Sequence, residues 1–168
     1  MTTFYIFRHG NTIDSDSLLT KFFGHKHDSH GLAILPRAVP ALERIGTFLK
    51  NVDTEVNFTS PYLRCRESTQ IVGKIAEKRF KTDERLREFE KNGEGFPSLR
   101  NRVRSFLDDV NKKNYSSVSI CTHGGVIAAI KHLVLNNRFY FFQLWDFPAP
   151  GNLIIINGGE VKTINFNK

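Results

Sequence analysis

Apolar and polar positions change period several times along the chain. Phe4 to Phe7 is an unbroken apolar run that predicts a buried strand, and it stops abruptly at Arg8, His9 and Gly10. Asn11 to Gly31 is polar and predicts a long loop with a short turn at LLTKFF. Ala38, Ala41, Leu42, Ile45, Phe48 and Leu49 hold a helical stripe, so Ala38 to Lys50 predicts an amphipathic helix. Glu55 to Thr59 reads as a second strand, ended by Pro61. Tyr62 to Lys78 predicts a helix with Leu63, Ile71, Val72 and Ile75 inward, and Arg79 to Thr82 a short strand. Ser98 to Lys113 repeats the helical pattern through Leu99, Val103, Phe106, Leu107 and Val110. Ser116 to Thr122 predicts a central strand and GGVIAAIKHLVL a buried helix straight after it. Arg138 to Pro148 is dense in aromatics and is expected to pack in the core or at its edge, or otherwise to form a partner or dimer surface. Leu153 to Ile156 and Val161 to Phe166, joined across Gly158-Gly159, predict a terminal hairpin.

Strands alternating with helices predict an α/β fold: a three-layer α/β/α sandwich with a mostly parallel central sheet, in a single domain over residues 1–168. In such sheets ligands lie beyond the carboxyl ends of the strands. Arg8-His9-Gly10, Ser60 to Arg64 and His123-Gly124 all fall at such ends, so they are expected to share one pocket although they lie far apart in sequence.

Composition narrows the class. The length allows burial of about 70% of the unfolded surface, and 40% hydrophobic residues exclude a disordered chain. No apolar run approaches the roughly 20 residues of a membrane span, and the N-terminus lacks the order of a signal peptide. The expected compartment is therefore the cytoplasm, with no membrane partner. Cys65 and Cys121 lack disulfide or zinc spacing and are expected to be reduced thiols. The net charge of +7 favours anionic partners, but it is scattered rather than gathered in a tail. Nucleic acid is not the expected partner.

Two guanidiniums and two imidazoles at one sheet edge, Arg8, Arg64, His9 and His123, repel one another unless an anion sits among them. The planar fork of arginine matches phosphate oxygens. Neighbouring positive charge is expected to keep His9 neutral near pH 7, with a ring nitrogen able to attack phosphorus. A carbonyl at Gly10 is placed to fix its tautomer. Expelling an alkoxide needs an acid, for which Glu88 in RLREFE is the leading candidate and Glu84 and Glu90 are competitors. GHKHDSH offers His25, His27, Asp28 and His30, read as a loop lining the substrate mouth rather than a metal site, with Lys26 and Arg37 available to a second anionic group.

These residues resemble the histidine phosphatase superfamily, which also contains the cofactor-dependent phosphoglycerate mutases, and the resemblance runs over nearly the whole chain. FRHGNT is similar to the family's Arg-His-Gly signature followed by Thr, and SPYLRCREST to its Ser-Pro-x-x-Arg-x-x-x-Thr segment, with Ser68 at the Thr position. LREF is similar to its Leu-x-Glu element and THGGVI to its second His-Gly. The resemblance implies a phosphoglycerate mutase-like fold with His9 as the phosphorylated nucleophile and Glu88 as proton donor. It implies that Arg8, Arg64 and His123 hold the phosphate, with Asn11, Thr12, Ser60 and Gly124 beside them as supporting contacts. Asn11 stands where many relatives carry glutamate. The insertion that mutases and larger phosphatases place after Leu-x-Glu is nearly absent, since LREFEKNGEGFPSLRNRV passes almost directly into the next helix.

An open pocket favours hydrolysis over a mutase, which must keep water from its intermediate. The expected activity is a metal-independent, cofactor-free phosphate monoester hydrolase acting through a phosphohistidine on a phosphorylated small molecule or phosphoprotein. The alternatives are a phosphoglycerate mutase, a protein phosphohistidine phosphatase and a non-catalytic anion-binding member. Oligomeric state stays open.

Overall fold

Six strands share one sheet in the computed structural model, which describes residues 1–16, 30–90 and 93–168. They are β1 (Thr3–Arg8), β2 (Val56–Thr59), β3 (Lys81–Thr82), β4 (Ser117–Thr122), β5 (Asn152–Asn157) and β6 (Glu160–Asn165). Their lateral order is β3-β2-β4-β1-β5-β6. The first four of that order are mutually parallel; β5 pairs antiparallel with β1, and β6 antiparallel with β5. The sheet is thus mostly parallel, closed on one side by the predicted hairpin.

The helices are α1 (Ile13–Asp16), α2 (Val39–Lys50), α3 (Leu63–Ala76), α4 (Phe96–Lys112) and α5 (Gly124–Asn136). Two apolar clusters, one on each face of the sheet, make the three layers. Under α2 and α3 lie Phe7, Leu42, Ile45, Leu49, Cys65, Val72 and Cys121. Under α4 and α5 lie Phe4, Ile6, Leu99, Val103, Phe106, Val118, Ile120 and Ile130. The period of two along a strand sends Phe4 and Ile6 to one cluster and Phe7 to the other. β4, covered on both faces, is buried at all six positions.

Several boundaries and one face differ from the sequence reading. α3 stops at Ala76 rather than Lys78, because Glu77 turns left-handed (φ 57°) and the Lys78 N–H donates back to the Gly73 carbonyl. α4 starts two residues early, with Pro97 in its first turn. On α3, Leu63, Ile71 and Ile75 are only half-buried, whereas Arg64, Cys65, Ser68, Thr69 and Gly73 are buried with Val72. The face turned to the sheet is thus partly polar, because its first two turns border a polar pocket. Within the expected Asn11–Gly31 loop the chain first forms α1, capped by reciprocal bonds between Thr12 and Ser15. The LLTKFF turn lies outside the described residues. Arg138 to Pro148 is split: Phe139 and Leu144 are buried, while Tyr140, Phe141, Phe142 and Trp145 face outward. No helix among the described residues is long and apolar enough to cross a membrane.

A buried polar tie joins β2 to β4. Asn57 Oδ1 accepts from Thr54 Oγ1 and from Ser119 Oγ, both at 2.7 Å, and Asn57 Nδ2 donates to the Arg79 carbonyl at 3.3 Å. Asn57→Ala would orphan two buried hydroxyls at once. The expected cost is about 3 kcal/mol, read as a lower urea midpoint with an unchanged m-value; an unchanged midpoint would mean that the hydroxyls find other partners.

Candidate active site

β2, β4 and β1 are neighbours, so the residues just past their carboxyl ends are neighbours too. The His9 N–H donates to the Thr122 carbonyl at 3.1 Å and the Ser60 N–H to the Cys121 carbonyl at 3.0 Å. Parallel pairing therefore continues one step beyond each strand and brings His9, Ser60 and His123 side by side. Arg64 enters from the first turn of α3. Glu88 follows the 3₁₀ turn Glu84–Leu86, whose Leu86 carbonyl accepts from Thr122 Oγ1 at 2.7 Å and so is tied to the end of β4.

His9 Nδ1–H donates to the Gly10 carbonyl at 2.8 Å, which leaves Nε2 as the unprotonated nitrogen. Arg64 Nε donates to that Nε2 at 3.2 Å. One oxygen of Glu88, Oε2, lies 3.2 Å from Arg64 Nη2 and 3.2 Å from His123 Nδ1. His123 Nε2 is 2.7 Å from Ser60 Oγ and 3.6 Å from Cys65 Sγ. The Arg8 guanidinium lies 5.0 Å from the centre of the Phe147 ring, and its buried Nε has no hydrogen-bond partner among the described residues. A donor left so costs free energy and marks a place suited to an acceptor.

Gly10 holds the turn that carries His9. Its N–H donates to Ser68 Oγ at 2.9 Å, which donates on to the Arg64 carbonyl at 2.6 Å, and a Cβ at this position would stand 2.7 Å from Ala38 Cβ. At Gly124 a Cβ would meet the Phe147 ring at 2.6 Å.

Burial first, then the charges of His123, Arg64 and Arg8, hold His9 well below the usual histidine range, so the ring is neutral near pH 7. Burial alone would raise Glu88, but His123 and then Arg64 outweigh it and keep its carboxyl well below the usual range. His123 goes the other way: burial works to lower it, and the charges of Cys65 and Glu88 raise it.

Of the predicted residues, His9, Arg8, Arg64, His123 and Glu88 come together. Thr12 caps α1, the Asn11 carbonyl accepts from the Leu35 N–H, and Gly124 opens α5. Glu84 is exposed, and Glu90 accepts from the Tyr62 hydroxyl. His30 packs against Tyr62, ring centres 4.3 Å apart and planes tilted by 46°; His25, Lys26, His27 and Asp28 lie outside the described residues. Ligand atoms of His9, Glu88 and His123 lie within 4.8 Å of one another, the spacing of a metal site, but two guanidiniums beside them favour an anion over a cation. Tyr62 and Phe147 escape a sequence reading. Tyr62 packs 5.0 Å from the Arg64 guanidinium and 5.2 Å from the His123 ring, and its place inside SPYLR was the one available signal. A hollow of about 420 Å³ at the opposite end of the sheet, lined by Met1, Phe4, Arg104 and Asn137, has its arginine already bonded to Asn137.

The sequence matches the histidine phosphatase superfamily (branch 1) over residues 4–91 and 89–162, two stretches that meet where the chain passes from Glu88 towards α4. No curated protein sequence matches it. Among solved structures it is similar to YhfR of Bacillus stearothermophilus, with 18% identity, TM-score 0.76 and full coverage of both chains. It is similar to the alpha-ribazole phosphatase of Shigella flexneri, with 17% identity, TM-score 0.73 and 99% of this chain covering 96% of that one. It is also similar to the protein histidine phosphatase SixA complexed with tungstate, with 13% identity, TM-score 0.68 and coverage of 96% and 94%.

An imidazole held below its ordinary value stays neutral in the folded chain, whereas the unfolded chain protonates below about pH 6.5. Its contribution to stability is present above that pH and is lost as pH falls. The stability advantage of wild type over His9→Ala should therefore shrink between about pH 7.5 and pH 5, by at most about 1.4 kcal/mol per pH unit. Denaturant melts at several pH values measure it, and a constant difference would mean that His9 titrates as an ordinary histidine.

Proposed function

The chain belongs to the histidine phosphatase superfamily, and within it we propose a metal-independent phosphate monoester hydrolase that works through a phosphohistidine on His9. The observation that carries this reading is the bond from His9 Nδ1–H to the Gly10 carbonyl, which presents an unprotonated Nε2 to the space shared by Arg8, Arg64 and His123.

A phosphate dianion offers Arg64 a charged acceptor in place of the His9 lone pair, which frees Nε2. Nε2 attacks phosphorus, the bond to the ester oxygen breaks, and its electron pair stays on that oxygen, which takes a proton from Glu88. Glu88 is ionised in the free protein, yet the dianion draws on the same Arg64 and His123 and adds a like charge. Both effects raise the carboxyl, so it enters the step protonated. In the second step the Glu88 carboxylate removes a proton from water, the hydroxide adds to phosphorus, and Nε2 leaves. Only residues 89–95 separate Glu88 from α4, a connection too short to carry a lid of its own, which favours hydrolysis over isomer exchange.

Substrates are phosphorylated small molecules or proteins; the similar structures include a phosphatase of each kind by name. The reading includes a cytoplasmic location, to which the free thiols Cys65 and Cys121 are suited.

Turnover of phosphate monoesters should survive a chelator and vanish in His9→Ala. Glu88→Gln should lose about 10²–10⁴-fold on glycerol phosphate, and far less on p-nitrophenyl phosphate, whose leaving group departs unprotonated. Equal losses on both esters would remove Glu88 as the acid. Exchange between monophosphoglycerates without phosphate release would make the protein a mutase.

A further inference from the structure

Phe139 to Phe147 returns along α5 towards the phosphate pocket: His132 packs on Phe139 and bonds to Asp146, Leu144 lies against Gly125, and Phe147 ends at the pocket. Phe139 (1% exposed) and Leu144 (4%) sink into the core beneath α4 and α5, and Phe147 lies against Arg8 and Gly124. Between these anchors Tyr140, Phe141, Phe142 and Trp145 are 47, 54, 75 and 53% exposed. They are ordered against one another. Tyr140 and Phe142 stack at 5.7 Å with ring planes 4° apart, and Phe141 meets Trp145 edge-on at 5.4 Å and Phe96 at 5.6 Å. The Tyr140 N–H donates to the Gln143 side chain and closes the 3₁₀ turn Phe141–Gln143 that displays them. Aromatic rings held in place before contact lose little entropy on binding, which is why they dominate the energetics of interfaces.

Size and charge narrow the occupant. At about 200 Å² per aromatic side chain, the exposed fractions sum to roughly 450 Å². That is the extent of a functional patch on a monomer, but well short of the roughly 800 Å² per partner of a stable interface. A second copy would also meet this chain's net charge of +7 with its own. A phosphorylated protein brings the opposite charge. The surface is linked to the pocket through its last residues: the Phe147 N–H donates to the Trp145 carbonyl and the Phe147 ring lies against Arg8, which points a chain lying on the aromatics towards Arg8. We propose that Tyr140, Phe141, Phe142 and Trp145 dock the polypeptide of a phosphorylated protein substrate while its phosphoryl group sits among Arg8, His9 and Arg64. The proposal rests on the hydrolase reading and names the substrate class of that site.

The test compares phosphocasein with p-nitrophenyl phosphate on wild type, Phe142→Ser and Tyr140→Ser/Phe142→Ser. Both side chains lie outside the core, and thermal melts confirm that the variants fold. The expected result is at least a tenfold loss of kcat/KM on phosphocasein, carried by KM, with p-nitrophenyl phosphate within twofold of wild type. Unchanged phosphocasein turnover overturns the proposal, and so does a parallel loss on both substrates. A dimer seen by light scattering and dissolved by the substitutions would assign the surface to self-association and overturn it as well. Binding of phosphocasein to His9→Ala protein reads the surface without turnover. The same substitutions should weaken it tenfold, and absence of binding overturns the proposal. Wild type that hydrolyses neither compound, with this binding intact, would sink the hydrolase reading while leaving the docking surface standing.

Discussion

One carboxylate makes the pocket possible. Arg64 and His123 are almost wholly removed from water, and Glu88 Oε2 stands 3.2 Å from a nitrogen of each. Removing one partner of such a buried arrangement costs about 3–5 kcal/mol, because the remaining charges are left uncompensated. With Glu88 in place, Arg64 can be buried, and once buried it presses on His9 and helps to keep the ring neutral. The arrangement is also a competition. On the proposed reading, an anion that enters loosens the hold of Glu88 on Arg64 and His123, so binding of the ligand and arrival of a proton on the carboxyl are one exchange.

The sheet supplies the geometry for that exchange. β4 comes late in the chain but inserts between β2 and β1, so two histidines and a serine from distant segments end on one line. β5 covers the other side of β1, which makes the strand leading to His9 an interior one with its register fixed from both sides. The relay from the Gly10 N–H through Ser68 to the Arg64 carbonyl then locks the His9 turn and the start of α3 into one rigid unit.

Apolar runs and glycines make much of this legible in advance. Phe4 to Phe7 and Ser116 to Thr122 read as buried strands because both faces are covered, and the His-Gly pairs at their ends announce the pocket. α3 was harder. Its apolar residues mark a helix but misplace its buried face: Leu63, Ile71 and Ile75 are half-buried, while Arg64 and Ser68 are buried by the site rather than by the core. Glu88 could be preferred to Glu84 and Glu90 by family pattern, but its burial between Arg64 and His123 depends on how the 3₁₀ turn folds back on Thr122. Phe147 shows in the sequence only as one of a run of aromatics, because a ring under a guanidinium is a matter of distance, not of spacing. The short α1 is illegible for a related reason: four residues are too few to show a period.

The two borders of the sheet have a consequence for life at high concentration. β3, on one side, is only two residues long, and β6, on the other, is exposed over most of its length and carries Glu160 and Lys162. Short or charged border strands make poor templates for another chain's backbone. The protein can therefore expose the carboxyl ends of its strands, where the site residues gather, without offering its flanks as seeds for fibrous assembly.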